Sequence, residues 1–146
     1  MAQRDTTTGS NYESIIEMCI KRSCEKNDLS AFSQSIIGEK PGGGKHRVDW
    51  EIFRSAEPNF RGLISCKYQG TSGTAEEKIA YEVIKLLHAM KIDSRYKKSW
   101  IIMGGEGWSS GMREFIRLHL TEWIPEMKDK VEILTTDQLI STNLKV

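Results

Sequence analysis

The chain has 146 residues, with 21 basic and 20 acidic side chains and a net charge of +1, so it holds one domain with one core and no global affinity for polyanions. No apolar run reaches 18 residues, which excludes a spanning helix of the usual kind, and "MAQRDTTTGS" lacks the apolar segment of a secretory signal. Cys19, Cys24 and Cys66 are odd in number and form no CxxC pair. With no metal-ligand spacing among His46, His88 and His119, this points to a reduced, cytoplasmic protein without a zinc site or disulfide framework.

Residues 1–8 read as a disordered tail, and 9–146 as a single domain. Tyr12, Ile15, Ile16, Cys19 and Ile20 recur at helical spacing, with Ser10 or Asn11 as the cap and an end near Asn27. Residues 33–39 are a short strand, and "KPGGGK" is a turn. In "HRVDWEIF" (46–53), Val48, Trp50 and Ile52 alternate with Arg47, Asp49 and Glu51, which is a half-buried strand. "SAEPNFRG" reads as a loop, and "LISCKYQ" as the third strand. "TSGTAEEKIAYEVIKLLHAMKI" is a helix with an apolar stripe of Ala75, Ile79, Val83, Ile84, Leu87 and Met90. "SWIIMGG" (99–105) is a buried strand, "SGMREFIRLHLTEWIPEM" a helix stopped near Pro125, "VEILTT" (131–136) the last strand and "DQLISTNL" a short helix. Trp50 and Trp123 are expected in the core. Trp108, in a glycine-rich loop, either packs there or touches DNA or a second subunit. The early strands form a meander and the later ones alternate with helices, so the fold class is α/β, a sandwich around a mixed sheet in the order αβββαβαβ.

Lys67 stands in an otherwise apolar strand. Side chains alternate, so Ser65, Lys67 and Gln69 share one face and Ile64, Cys66 and Tyr68 the other. If the second and third strands pair antiparallel, Asp49 comes near Lys67. A carboxylate beside a lysine and a polar group is the beginning of a Mg²⁺ site, because Mg²⁺ takes one or two carboxylates together with substrate phosphate. A structural Asp–Lys ion pair is the plain alternative. "GEKPGGGKHR" is not a phosphate-binding P-loop: the glycine spacing is one residue too long, and His46 stands where the Ser or Thr belongs.

"VDW" (48–50) and "SCK" (65–67), within this order of elements over roughly residues 9–136, resemble the PD-(D/E)XK, restriction-endonuclease-like nuclease superfamily. The resemblance implies a restriction-endonuclease-like α/β/α sandwich and metal-dependent hydrolysis of DNA phosphodiester bonds. Asp49 and the Cys66 backbone carbonyl would hold Mg²⁺ (Mn²⁺ substituting), and Lys67 would orient the attacking water. Ser65 departs from the pattern, since an acid usually stands two residues before the lysine. Some restriction enzymes of the superfamily also carry Ser-Cys-Lys and bring the acid from the following helix, where this chain offers Glu76, Glu77 and Glu82. Glu77 is the first choice as second acid and metal ligand, because Glu77-x-x-x-Tyr81 has the spacing of a Gln-x-x-x-Tyr element in an exonuclease branch. Glu82 and Glu76 are the alternatives. Gly9-x-x-x-Glu13 resembles a first-helix spacing in archaeal junction resolvases, which would bring Glu13 to the metals, and Gln69 would hold a metal water or phosphate.

Each of these residues also has a structural reading. Glu77 closes a capping box with Thr74, Glu82 is solvated or pairs with Lys78 or Lys85, Glu13 favours the helix dipole and Gln69 makes a strand-end hydrogen bond. Cys66 is a small buried hydrophobe rather than a nucleophile. The expected DNA contacts are Lys45, His46, Arg47, Lys78, Lys97, Lys98 and Arg113, with Lys40, Arg95 and Arg117 in the same basic clusters. The expectation is thus a Mg²⁺-dependent endonuclease of restriction-like, homing or phage type, acting on double-stranded or branched DNA as a homodimer or higher oligomer, in a bacterial, phage or archaeal cytoplasm and without a membrane. A Holliday-junction resolvase or repair nuclease, and a catalytically inactive DNA- or protein-binding module with the same fold, are the alternatives.

Overall fold

The computed structural model describes residues 6–69, 75–105 and 107–146, with side chains over 11–69, 78–105 and 107–146. Helix α1 (Thr6–Asn27) is followed by strands β1 (Ser30–Glu39), β2 (Lys45–Arg54) and β3 (Glu57–Tyr68). Then come α2 (Ala75–Ile92), β4 (Tyr96–Gly104), α3 (Ser110–Glu114), a π-helical turn (Phe115–His119), α4 (Leu120–Trp123), a 3₁₀ turn (Pro125–Met127), β5 (Val131–Thr135) and α5 (Thr136–Thr142). The sheet has the order β1-β2-β3-β4-β5. Its first three strands pair antiparallel, and β3-β4 and β4-β5 pair parallel.

Two apolar layers cover the two faces. Leu63, Ile101, Met103 and Val131 pack with Ile79, Val83, Leu86 and Ala89 of α2 and with Ile116 and Leu120 beyond it. Ile52, Ile64, Trp100, Ile102 and Leu134 pack with Tyr12, Ile16, Cys19 and Ile20 of α1 and with Leu139 of α5. The successive parallel steps β3–α2–β4 and β4–α3/α4–β5 leave their helices on one face, as crossovers of a single hand require. The result is an α/β/α sandwich around a mixed five-stranded sheet.

Several boundaries differ from the sequence expectation. Helix α1 starts at Thr6, upstream of Ser10 and inside the expected tail. β1 is ten residues rather than seven, and β3 begins at Glu57, because Arg54 already pairs with Glu57 across a tight turn and "SAEPNFRG" is mostly strand. The helix after β4 is interrupted by the π turn, five residues with the wider i→i+5 hydrogen bonding. Trp123 is 74% exposed rather than buried, since that interruption and the break at Pro125 swing it outward. Trp108 is buried, and its indole N–H donates to the Gly104 carbonyl at 2.7 Å, so it packs in its loop and is not a contact surface. In α2 the buried stripe runs through Leu86 and Ala89, while Ile84 is exposed.

The β1–β2 hairpin closes through three successive glycines, Gly42, Gly43 and Gly44, all with φ between 87° and 96°, a range that only glycine enters freely. Its tip is held to α2 by Tyr81, whose hydroxyl donates to the Pro41 carbonyl at 3.1 Å.

Candidate active site

The β2–β3 ladder ends at Trp50–Ile64. Beyond that pair the Asp49 carboxylate takes the hydrogen bond, accepting from the Cys66 N–H at 2.7 Å. The two strands therefore part at Asp49, and its half-buried carboxylate stands in the opening. The local backbone serves this. Gln34, beside Asp49 on β1, has φ of 52°. Across this point the strand changes face: Trp50 and Ile52 pack against α1, whereas Val48 packs against α2.

On β3, Ser65 and Lys67 face α2. Lys67 is not ion-paired with Asp49 but with Glu82, Nζ to Oε2 at 3.4 Å. Glu82 is 2% exposed, and its carboxylate also receives Lys85 Nζ at 2.7 Å and the Ser65 hydroxyl. Burial pushes the Glu82 carboxyl up, but the Lys85 hydrogen bond, the Lys67 charge and the Ser65 hydroxyl outweigh it, and the pKa lies below its ordinary value. Ser65, in the place where an acid would stand on the strand, is therefore hydrogen-bonded to an acid that arrives from the helix.

Glu82 carries a signal in the sequence. The inward stripe of α2 is Ile79, Val83, Leu86 and Ala89, and position 82 lies on it, three residues after Ile79 and four before Leu86. A glutamate on the buried stripe of a helix needs cationic partners, and Lys67 and Lys85 are they. The side chains of Glu76 and Glu77, and the Thr74 end of the expected capping box, lie outside the described residues. Of the two structural readings of Glu82, pairing with Lys85 holds and solvation does not.

The remaining expected residues divide. Glu13 is exposed on α1 and close enough to Cys66 to raise the pKa of its thiol. That thiol is pushed up chiefly by burial and then by Asp49, so it stays protonated and does not act as a nucleophile. Gln69 is buried and donates from Nε2 to the Gly107 carbonyl at 2.8 Å, which ties the end of β3 to the loop after β4. Lys45 and Arg47 on β2 and Lys78 on α2 are exposed.

His46 is 1% exposed and so is not a DNA contact. It lies under α2 among Glu82, Lys85, His88 and Lys40, with neither ring nitrogen hydrogen-bonded among the described residues. Lys97 and Lys98 are at the far end of the sheet: Gly62 pairs with Lys98 and Lys67 with Met103, five residues further on, about 16 Å at roughly 3.3 Å per residue. Lys98 is in addition paired with Glu132 at 2.9 Å, and Arg95 with Asp93 at 2.7 Å. Arg113 is half-buried, with a guanidinium N–H directed to the Trp108 carbonyl at 3.5 Å.

Glu51, placed by alternation on the polar face of β2, is buried. It receives the Tyr96 hydroxyl at 2.7 Å, the Ser35 hydroxyl at 3.1 Å and Arg61 at 3.3 Å, and so joins four strands rather than serving chemistry.

Among the described residues no three His, Cys, Asp or Glu side chains form a complete protein cage for a metal. The available donors are instead the oxygens of Asp49 and Glu82 and backbone carbonyls. Such oxygens are hard donors of the kind a divalent cation takes.

The sequence matches the family model described as PD-(D/E)XK nuclease superfamily domain over residues 8–146. No curated protein matches the chain.

Proposed function

The chain belongs to the PD-(D/E)XK nuclease superfamily, and from that membership we propose that it is a Mg²⁺-dependent DNA endonuclease whose second acid is Glu82. The observation that carries the reading is the Glu82 carboxylate, at hydrogen-bonding distance of both Ser65 and Lys67 on the strand whose Cys66 N–H binds the Asp49 carboxylate.

A divalent cation held by Asp49, the Cys66 carbonyl and Glu82 would acidify water and offset the charge of the scissile phosphate. Lys67, 30% exposed at its side chain, reaches from β3 towards solvent and orients the attacking water, and its ammonium faces the charge that develops on the phosphate oxygens. Glu82 holds the Lys67 ammonium in place. Lys85, on the same carboxylate, keeps Glu82 ionised when Lys67 turns to substrate. Asp49 is fixed by the Cys66 N–H, so it meets the metal in one orientation without reorganising. Lys45, Arg47 and Lys78 supply phosphate contacts at the rim. Each chain has one such constellation, so cutting both strands of a duplex takes two copies, and the active form is a homodimer or larger.

The test is cleavage of supercoiled plasmid, linear duplex and a four-way junction with Mg²⁺ or Mn²⁺. Nicking or linearisation that stops with EDTA is the expected result. No cleavage of any substrate with either metal defeats the proposal.

A further inference from the structure

A second polar cavity, of about 430 Å³, opens at the carboxyl ends of β4 and β5 and is lined by Met103, Gly104, Trp108, Arg113, Arg117 and Thr135 together with Gly105, Thr136 and Asp137. It lies beside the site already described. Met103 pairs with Lys67 and Gly104 with Tyr68, so the cavity is one to two strand spacings from Lys67, about 5–10 Å.

Most polar groups of its wall are already engaged. The Trp108 indole N–H donates to Gly104, the Thr136 hydroxyl to the Met103 carbonyl at 3.3 Å, and the Thr135 hydroxyl caps α5. What remains is two guanidiniums and one carboxylate, that of Asp137. Arg113 makes only the long contact to Trp108, Arg117 is exposed, and neither has an ion-pair partner among the described residues. Both arginines line the cavity, four residues apart across the junction of α3, which holds Arg113, and the π turn, which holds Arg117. A π turn inside a helix is rare and frequently marks a functional site.

We propose that this cavity is a phosphate subsite, in which Arg113 and Arg117 grip a single phosphate group of a nucleic-acid strand while the neighbouring one is held at Lys67. Guanidinium forks match phosphate oxygens, and about 5–10 Å spans one to three phosphates at roughly 3.4 Å of axial rise per strand. Asp137 on the rim opposes the anion and tempers its affinity. The inference rests on the nuclease reading only for the choice of nucleic acid as the phosphate's carrier.

The experiment is fluorescence anisotropy in EDTA, which prevents cleavage, with four single-stranded DNA probes: 5′-phosphorylated, 3′-phosphorylated, hydroxyl-ended and circular. Arg113→Gln/Arg117→Gln is expected to weaken binding at least tenfold and to lower the salt slope by about 0.7, the value for one lost phosphate contact on a single strand. Asp137→Asn is expected to tighten it about threefold. Loss confined to one phosphorylated end identifies a terminal phosphate as the ligand, and equal loss on the circle identifies an internal one. Either supports the subsite. Should the double variant melt early, Arg117→Gln alone decides, since that exposed side chain has no partner to lose. Wild-type affinity and salt slope in a folded Arg117→Gln protein, or looser binding by Asp137→Asn, overturn the proposal. Asp49→Ala serves as the independent control. If wild-type protein binds through the arginines but cuts nothing, the nuclease reading fails and the subsite stands.

Discussion

Lys67 and Glu82 define each other. An ammonium on a strand and a carboxylate on a buried helix stripe each lose water, and they offset that loss only together and with Ser65 and Lys85. Glu82→Gln should therefore abolish metal-dependent cleavage and also lower stability by about 1–3 kcal/mol, a loss moderated by the solvent that still reaches both lysines. Glu77→Gln should leave both within twofold of wild type. Nicking rates and thermal melts on the two variants make the comparison, and the opposite pattern moves the second acid to Glu77. Asp49→Ala and Lys67→Ala should each reduce nicking at least a hundredfold while the circular dichroism spectrum stays that of the wild type. Retention of full activity by either variant removes that residue from the chemistry.

At the scale of elements, the site depends on how α1 and the loop after β4 are seated. Tyr12 of α1 donates its hydroxyl to the Ile102 carbonyl at 3.1 Å and lies tilted against Tyr68, with ring centroids 5.0 Å apart. A Cβ on Gly104 would overlap the Tyr12 ring. Gly104→Ala is thus expected to lift α1 from the sheet at a cost on the order of 1–3 kcal/mol, and with it to disturb the Tyr68 end of β3. Chemical denaturation and proteolysis of α1 report this. A variant as stable and protected as wild type would mean that α1 re-seats without strain.

For the whole molecule, the groups buried under α2 make stability depend on pH in one direction. His46 is held neutral by burial, so its pKa is lowered, and the unfolded chain binds its proton first as pH falls. Stability is therefore full above the ordinary histidine value, about 6.5, and declines below it. Glu82, also depressed, adds a second decline that begins below the ordinary carboxylate value, about 4.3, and runs down through its folded pKa. Melting temperatures from pH 8 to pH 4 should fall first below about 6.5, and His46→Leu should flatten that first limb. An unchanged slope in the variant would place the proton uptake elsewhere. At the same scale, the two-copy requirement predicts that sedimentation of active protein shows a dimer or larger species, and that double-strand cleavage falls with dilution faster than nicking does.

How far the sequence reached varies with the kind of interaction. Periodicity of two and of 3.6 found all five strands and the helices that flank them, because burial of one face leaves its period in the residues themselves. The short "VDW" and "SCK" signatures, set in that order of elements, were enough to suggest the superfamily. The ends of β1 and β3, the π turn and the outward turn of Trp123 were not legible. Each depends on which strand or helix stands alongside, and propensity carries no record of that. The separation of Lys97 and Lys98 from the site is a matter of register, and register belongs to pairs of strands.

The sequence by itself determined the α/β class and the two faces of β3, both of which follow from local alternation and periodicity. Only the tertiary structure decided that Lys67 answers to Glu82 rather than Asp49, that His46 is buried, and that Arg113 of α3 and Arg117 of the π turn line one cavity. The physical reason is the range of the interaction. A side chain's period along its own strand or helix is written in adjacent residues, whereas the partner of a buried charge is chosen where a helix and a sheet distant in sequence come within hydrogen-bonding distance.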